Sequence, residues 1–208
     1  MSEDEKDGKS DKSDKPLLIS RFIAYILDVM IVLLLASFLS APFVDSDKML
    51  SLSEDSRVLN NKYVEKTITD QEYLVEASNL EYQMAKSIEL VLIIYILISI
   101  LYYVVLPIFN NGQTLGKKLL KMKIVSTYED LNVNQLIFRS FIADFILLDI
   151  IMVLFSMFAS RDVFLSCVEL FVFAQYIVVI TSMIMMIFDK EGLAVHDRLV
   201  RTKVIKIN

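Results

Sequence analysis

Four carboxylates interrupt long apolar stretches of the sequence and are the residues best suited to chemistry. Asp28, Asp144, Asp149 and Glu169 lie within, or at the edge of, runs that otherwise carry almost no charge. A charge at the centre of a bilayer is costly, so such residues usually pair with another group or line a polar path. Buried carboxylates can bind and release protons or sodium, because burial raises their pKa values toward neutral pH. The alternative is structural: Asp28 forms hydrogen bonds inside a helix bundle and fixes its register.

The apolar runs that carry these acids are long enough to cross a membrane. The chain is 55% hydrophobic, with a mean hydropathy of +0.55, and about 20 predominantly apolar residues span a bilayer core of about 30 Å. Runs this long exceed the buried helices of ordinary soluble proteins. We therefore predict an all-α, polytopic four-helix transmembrane bundle, with helices over about residues 17–43, 88–109, 135–159 and 163–188.

The remaining segments are polar. Residues 1–15 mix acids, lysines and serines with almost nothing apolar, which predicts a disordered tail ahead of a membrane domain over residues 16–208. The loop over residues 44–87 holds nine acids and five bases. Thr69 and Glu72 fit a capping box that begins a helix. That helix either continues into the second span or ends at a break near Ser87. A short hairpin is expected about Asn60 and Asn61.

Two basic segments follow the second and fourth apolar runs and resemble each other. Shifting the first basic segment (residues 110–125) by 80 positions aligns Gly112 with Gly192 and Lys118 with Arg198 in the second basic segment (residues 192–205). This pattern predicts two tandem helix-pair units, each followed by a basic interfacial segment. Residues 121–126 and 201–207 each alternate and are expected to pair as short strands on the cytoplasmic face. We expect the segments to contact anionic lipid, or else only to set topology, through six cations: Lys117, Lys118, Lys121, Lys123, Arg198 and Arg201.

The same basic residues predict the orientation of the chain. Lysines and arginines concentrate in cytoplasmic loops near membrane ends, so both termini are expected in the cytoplasm and the loop over residues 44–87 outside it. With one cysteine, Cys167, no intramolecular disulfide can form. One histidine and one cysteine do not suffice for a cluster of the usual zinc ligands, so no metal site is expected. No cofactor and no nucleic-acid partner are expected either.

Two short motifs superficially suggest catalysis. Gly112, Gly116 and Lys117 resemble a phosphate-binding loop, but one residue is missing between the glycines and no strand precedes them. His196 and Asp197 could form a catalytic dyad, yet no serine motif of the nucleophile-elbow type accompanies them. We therefore expect no enzymatic activity.

Taken together, the motifs resemble those of the RDD family of membrane proteins, over nearly all of the chain from about residue 17 to 207. The resemblance implies a polytopic, mainly bacterial protein of the plasma membrane. It weakly implies transport, since cation/proton exchange has been proposed for members. The long acidic first loop, and Ala194 and Val195 before His196, depart from the family pattern. The matching residues are Arg21, Asp28, Gly112, Gln113, Thr114, Gly116, Lys117, His196 and Asp197, of which Arg21, Asp28 and Asp197 match the arginine and two aspartates that give the family its name.

Two functions remain open on this evidence. The first is a small transporter or cation/proton exchanger that uses Asp28, with Asp149 in support and Arg21 as a counter-charge. Few acids line such a pathway, so transport favours a homo-oligomer. Arg21 lies about 10 Å along the helix axis from Asp28, so we expect the partner of Asp28 to come from another helix, near Asp144 or Asp149, from water or from a cation. The second function is a non-transporting membrane scaffold or accessory protein that binds partners or anionic lipid.

Overall fold

The computed structural model describes residues 18–128 and 130–207, which are mostly helical. The tail expected over residues 1–15 lies outside the described residues. A 3₁₀ turn covers Ala41–Phe43 and a π-helical turn covers Ile100–Val105, and the strands are β1 (Met122–Ser126) and β2 (Thr202–Lys206). The helices are α1 (Leu18–Ser40), α2 (Ser46–Val64), α3 (Asp70–Ser87), α4 (Glu89–Ser99), α5 (Leu106–Phe109), α6 (Leu115–Leu119), α7 (Val133–Ala143), α8 (Ile146–Phe158), α9 (Arg161–Phe188) and α10 (Val195–Val200).

Within the described residues, three helical stretches are long and apolar enough to cross a membrane: Leu18–Phe43, Glu89–Phe109 and Arg161–Phe188. A fourth span requires α7 and α8 together, and this pair bends by 62° at the break between them. The continuous helix expected over residues 135–159 is therefore wrong. Asp144 caps the end of α7, and Phe145 adopts a left-handed φ of 56° that no regular helix accommodates.

The long first loop is helical rather than irregular. The capping box is confirmed: the Glu72 N–H donates to the Thr69 hydroxyl at 3.2 Å, and the Thr69 N–H donates to the Glu72 carboxylate at 2.8 Å. α3 ends at Ser87, so it is a separate helix and not an extension of the second span. The hairpin expected about Asn60 and Asn61 is wrong, because α2 continues through both residues.

The chain divides into two compact units, each described by itself. One unit comprises residues 34–98 and 147–174. Here Tyr63 of α2 stacks on Tyr73 of α3 with ring centroids 4.3 Å apart. Arg161 of α9 donates a hydrogen bond to Asn79 of α3, and Phe164 meets Tyr82 edge to face. These contacts connect α2 and α3 to the beginning of α9.

The other unit contains both basic segments and is organised around a two-stranded antiparallel sheet. β1 and β2 pair with Ile124 opposite Val204, which confirms the expected strand pairing. These two residues pack with Ala24, Met122 and Leu136 in a small apolar core. Ile124 and Val204 are also equivalent under the 80-residue shift. The two segments are therefore related by a local two-fold axis through this pair, as tandem repeats allow.

Pro107 explains the irregular end of the second span. In a regular helix the Tyr103 carbonyl would accept the N–H of residue 107, but proline has none. The chain widens into the π turn, where the Leu106 N–H bonds to the Leu101 carbonyl. Ser140 of α7 donates its hydroxyl to the Tyr103 carbonyl at 2.7 Å. The π turn also brings Tyr102 into a buried position.

α1 buries one narrow stripe of its surface. Five residues spaced four apart are buried, whereas most of the large apolar residues on its other faces are exposed, as expected for side chains that face lipid. Residues four apart lie on one face of a helix. Asp28 therefore lies on the buried face of α1, together with small and apolar residues. The stripe consists of Ala24, Asp28, Val32, Ala36 and Ser40.

Gly112 supports the turn that returns the chain from the second span to β1. Its N–H donates to the Pro107 carbonyl at 2.8 Å, its carbonyl accepts the Ile124 N–H at 3.0 Å, and its φ is +76°. A Cβ here would lie 2.6 Å from the Ile124 carbonyl oxygen. We predict that Gly112→Ala lowers the free energy of unfolding by about 2 kcal/mol or more, since left-handed backbone strain and a backbone clash add.

Thermal and denaturant unfolding in lipid nanodiscs would measure this loss. Asn111→Gly is the matched control, because Asn111 also has a left-handed φ, of 51°, which glycine adopts without strain. Stability equal to wild type in Gly112→Ala would contradict the account of the turn.

Candidate functional site

Asp28 is fully buried, and four groups of the described chain contact its carboxylate. The hydroxyls of Tyr102 and Thr114 each donate a hydrogen bond of 2.6 Å, one to each carboxylate oxygen. The Gly116 N–H donates at 2.8 Å. The Lys117 ammonium nitrogen lies 3.6 Å from the carboxylate. These contacts give both carboxylate oxygens hydrogen-bond donors and place a cation beside them, as a buried carboxylate requires.

The first turn of α6 is shaped to receive this carboxylate. Thr114 is the N-cap of α6 and accepts the Lys117 N–H at 3.4 Å. The free N–H groups and partial positive charge at a helix start favour an anion there. A Cβ on Gly116 would collide with the Ala24 carbonyl and lie 2.7 Å from the Asp28 carboxylate. Glycine is therefore required for the backbone to reach Asp28.

Lys117 is the counter-ion of Asp28. Its ammonium also lies 3.3 Å from the Thr114 hydroxyl, and its side chain is only 16% exposed. Burial lowers the pKa of Lys117, and the positive charge of Arg139 acts in the same direction. The negative charges of Asp28 and Asp144 oppose this shift without cancelling it. The site thus holds an ammonium that loses its proton more easily than an exposed lysine does.

A second buried carboxylate, Asp197 of α10, is surrounded by arginines. Arg139 of α7 donates to it at 3.1 Å, and the Arg21 guanidinium of α1 lies 4.0 Å away. Thr202 donates its hydroxyl at 3.3 Å and the Ala194 N–H donates at 3.4 Å. Burial alone would raise the pKa of Asp197, but nearby groups, Arg139 first and Arg21 and the Ala194 N–H among the others, together lower that pKa. Asp197 therefore stays ionised.

Arg21 connects α1 to the second basic segment. Its guanidinium donates to the Gly192 carbonyl and, at 3.1 Å, to the Val204 carbonyl. The structure thus assigns Arg21 to Asp197 and to backbone carbonyls, whereas the counter-charge of Asp28 is Lys117. The expectation that Arg21 serves as the counter-charge of Asp28 is corrected here.

His196 is held neutral beside these charges. The Arg139 guanidinium lies 3.2 Å from the Nε2 atom of His196, and arginine can only donate, so Nε2 must be the acceptor. Burial lowers the pKa of His196 to about 3, and the Arg139 charge adds to this effect. The 3.7 Å approach of His196 to Asp197 is therefore not an ion pair. His196 and Asp197 act as structural partners of Arg139.

The four carboxylates that the sequence singled out belong to both compact units. Asp144 interacts electrostatically with Lys117 and Asp28, in agreement with the expectation that it lies near Asp28. Asp149 of α8 and Glu169 of α9 belong to the other unit, and Glu169 is exposed. The candidate site therefore rests on Asp28, Lys117 and Asp144, which lie in the unit that contains both basic segments.

The cations expected to face lipid differ in their burial and in their partners. Lys117 points inward to Asp28 and is removed from that set, because its ammonium has a buried partner. Lys123 is half-buried on β1, and the remaining four are exposed: Lys118, Lys121, Arg198 and Arg201. Gln113, from the family motif, donates its side-chain amide to the Met122 carbonyl at 2.8 Å and so ties the turn to β1.

Three residues of the site escaped the sequence reasoning. Arg139 could have been found, since a lone arginine inside an apolar helix needs a counter-ion. Ser140 had no signal, because the sequence does not show that its hydroxyl reaches the Tyr103 carbonyl of another helix. Tyr102 had no signal, because its neighbours in the sequence are apolar or aromatic and only the π turn turns its hydroxyl toward Asp28.

Comparison with known proteins gives one match. The family model described as the RDD family matches residues 15–201. This match covers most of the chain and confirms the resemblance found in the motifs. No curated protein and no solved structure matches the chain.

The neutral His196 leads to a prediction about pH. Its folded pKa, about 3, lies below the unfolded value of about 6.5, so the unfolded chain takes up a proton first as pH falls. Stability that is fully present above pH 6.5 is then lost toward pH 3, by about 1.4 kcal/mol per pH unit. The free energy of unfolding of His196→Asn, which cannot take up that proton, should lack this component of the slope.

The chain has a single histidine, so its imidazole NMR signal needs no assignment. In nanodiscs that signal should stay constant from pH 8 to pH 5, and in denaturant it should titrate near 6.5. A folded-state midpoint between pH 6 and pH 7 would show that Arg139 does not hold the ring neutral.

Proposed function

We propose that this chain, which belongs to the RDD family, is a small cation/proton exchanger that uses Asp28 and Lys117 as its exchange site. Its apolar helices are those of an integral, multi-pass membrane protein. The observation that supports exchange is the pairing of a fully buried carboxylate with a mostly buried ammonium, 3.6 Å apart, beside a second acid, Asp144. Ionisable groups inside membrane proteins usually mark ion or proton pathways.

Exchange follows if the net charge of the buried Asp28–Lys117 pair stays constant. A monovalent cation that binds Asp28 replaces the Lys117 ammonium as its counter-charge. Two cations beside one carboxylate would repel each other, so Lys117 then gives up its proton and becomes a neutral amine. One cation enters and one proton leaves, and the net charge of the pair does not change. The lowered pKa of Lys117 favours this release.

The oxygen atoms around Asp28 suit a small, hard cation such as sodium. The hydroxyl oxygens of Tyr102 and Thr114 lie 2.6 Å from the carboxylate oxygens, and the Ala24 carbonyl adjoins Gly116. Alkali and alkaline-earth cations prefer oxygen ligands. Among the described residues, no group of three or more acids, histidines or cysteines could hold a metal ion. A cation at Asp28 would therefore depend on hydroxyl and carbonyl oxygens.

A different observation supports a second candidate, a non-transporting membrane scaffold. Both oxygens of Asp28 already accept hydrogen bonds, and these bonds fix the start of α6. On this account Asp28 has the same role as Asp197, which ties α10 to Arg139. The protein would then present its basic segments to lipid or to another protein.

The orientation and location belong to the same proposal. We place both termini in the cytoplasm of a bacterium and α2 and α3 outside its plasma membrane. The exposed cations of the two basic segments, which lie close to the ends of apolar helices, support this orientation. Because a single copy offers few acids for a pathway, we place the exchanger in a homo-oligomer.

Ion flux in proteoliposomes tests the exchange. With an imposed sodium gradient, the wild type should move protons against sodium, and Asp28→Asn should reduce this flux to the level of empty liposomes. Lys117→Arg keeps the cation beside Asp28, but a guanidinium does not release its proton in proteins. That variant should fold and yet not exchange.

Glu169→Gln is the matched control, since it removes an exposed carboxylate that belongs to the other unit. It should exchange at the wild-type rate. If the wild type shows no flux, or if Lys117→Arg exchanges normally, the exchange mechanism fails. The scaffold then remains, provided that Asp28→Asn also fails to accumulate in the membrane.

A further inference from the structure

α6 and α10 present the same kind of exposed surface at equivalent positions. Leu119 is 71% exposed and its equivalent, Leu199, is 65% exposed. Each leucine is followed two residues later by an exposed cation, Lys121 after Leu119 and Arg201 after Leu199. An apolar side chain beside a cation is typical of segments that lie in a membrane interface.

The charges around this surface are mainly positive. Lys118 is exposed, with its ammonium 3.5 Å from the Asn110 side chain. Arg198 is paired with Asp189 at 3.2 Å, so its charge is largely neutralised. Among the residues that the structure describes on the adjoining turns, the exposed acids are Asp130 and Glu191. Lys118, Lys121 and Arg201 are exposed cations on or directly after α6 and α10, and the Arg201 guanidinium lies 5.3 Å from the centre of the Tyr128 ring.

Lys121 and Arg201 both adopt the left-handed backbone conformation, which is strained for residues other than glycine. Their φ angles are +53° and +57°, and each lies just after its short helix. Glycine is the usual residue in this conformation, because a Cβ makes it costly. A long cationic side chain at both positions, where glycine would be more stable, points to a use for the charge itself.

The bilayer surface is within reach of both helices. α6 begins six residues after Phe109, at the end of the second span, and α10 begins seven residues after Phe188, at the end of α9. At about 3.5 Å per residue, neither connection extends beyond about 25 Å. Phe109 and Phe188 are both more than four-fifths exposed, as expected for side chains that face lipid.

We propose that α6 and α10 form a paired binding surface for anionic phospholipid. Leu119 and Leu199 enter the apolar edge of the bilayer, and Lys121 and Arg201 bind headgroup phosphates, assisted by Lys118. Lys117 takes no part, because it is the counter-ion of Asp28. This function is separate from cation exchange and does not depend on it.

The absence of tryptophan from the chain allows a direct test. Leu119→Trp introduces a single tryptophan at the proposed surface, which can be excited selectively over the nine tyrosines. In bilayers that contain brominated phosphatidylcholine, its fluorescence should be quenched. Unlabelled phosphatidylglycerol should relieve the quenching more effectively than unlabelled phosphatidylcholine, and the ratio gives the lipid preference.

The decisive variant adds Lys121→Gly and Arg201→Gly to this background. Glycine fits the left-handed backbone, so the thermal unfolding temperature should not fall. The preference for phosphatidylglycerol should drop about five-fold for each cation removed, as about 1 kcal/mol per surface cation implies. The matched control is Lys48→Gln with Lys62→Gln, which removes two exposed cations of α2 and should keep the preference.

Three results would overturn the proposal. The first is an unchanged preference in the double glycine variant, and the second is an equal loss in the α2 control. The third is a Leu119→Trp protein that brominated lipid does not quench, since the leucine would then not reach the bilayer.

Discussion

Two buried carboxylates, Asp28 and Asp197, hold the basic segments of this protein against its apolar helices. Each short helix would otherwise be unstable, because five or six residues cannot form a stable helix in isolation. Asp28 supplies the start of α6 with hydrogen-bond acceptors, and Asp197 connects α10 to Arg139. A buried charge with a missing partner costs several kcal/mol, so carboxylate and partner depend on each other. The strand pairing of β1 with β2 then joins the two segments.

The two repeats solve the same problem with opposite charges. In the first repeat the carboxylate, Asp28, lies on the membrane helix and the cation, Lys117, on the short helix. In the second repeat the cation, Arg139, lies on the membrane helix and the carboxylate, Asp197, on the short helix. Lys117 and Asp197 are equivalent under the 80-residue shift. The direction of the ion pair is therefore opposite in the two segments, which makes them electrostatically distinct.

Much of this architecture could be predicted from the sequence, because hydrophobic length and helix capping are local signals. The three long spans, the capping box at Thr69 and the strand pairing all followed from such signals. The break at Asp144 did not, because neither glycine nor proline marks it and only the tertiary structure stabilises Phe145 in its left-handed conformation. The partners of Asp28 also could not be predicted. The spacing along α1 shows that the partner of Asp28 must come from another part of the chain. It does not show that Lys117, 89 positions later, is that partner.

Hydrogen–deuterium exchange measured peptide by peptide, in nanodiscs, tests most directly whether each carboxylate holds its own segment. Asp28→Asn should accelerate amide exchange in residues 114–120, where the Gly116 N–H bonds to Asp28, and leave residues 195–200 protected. Asp197→Asn should show the reverse pattern, because Ala194, Arg139 and Thr202 lose their shared acceptor charge. Protection that is unchanged in both variants, or lost equally across both segments, would contradict the account.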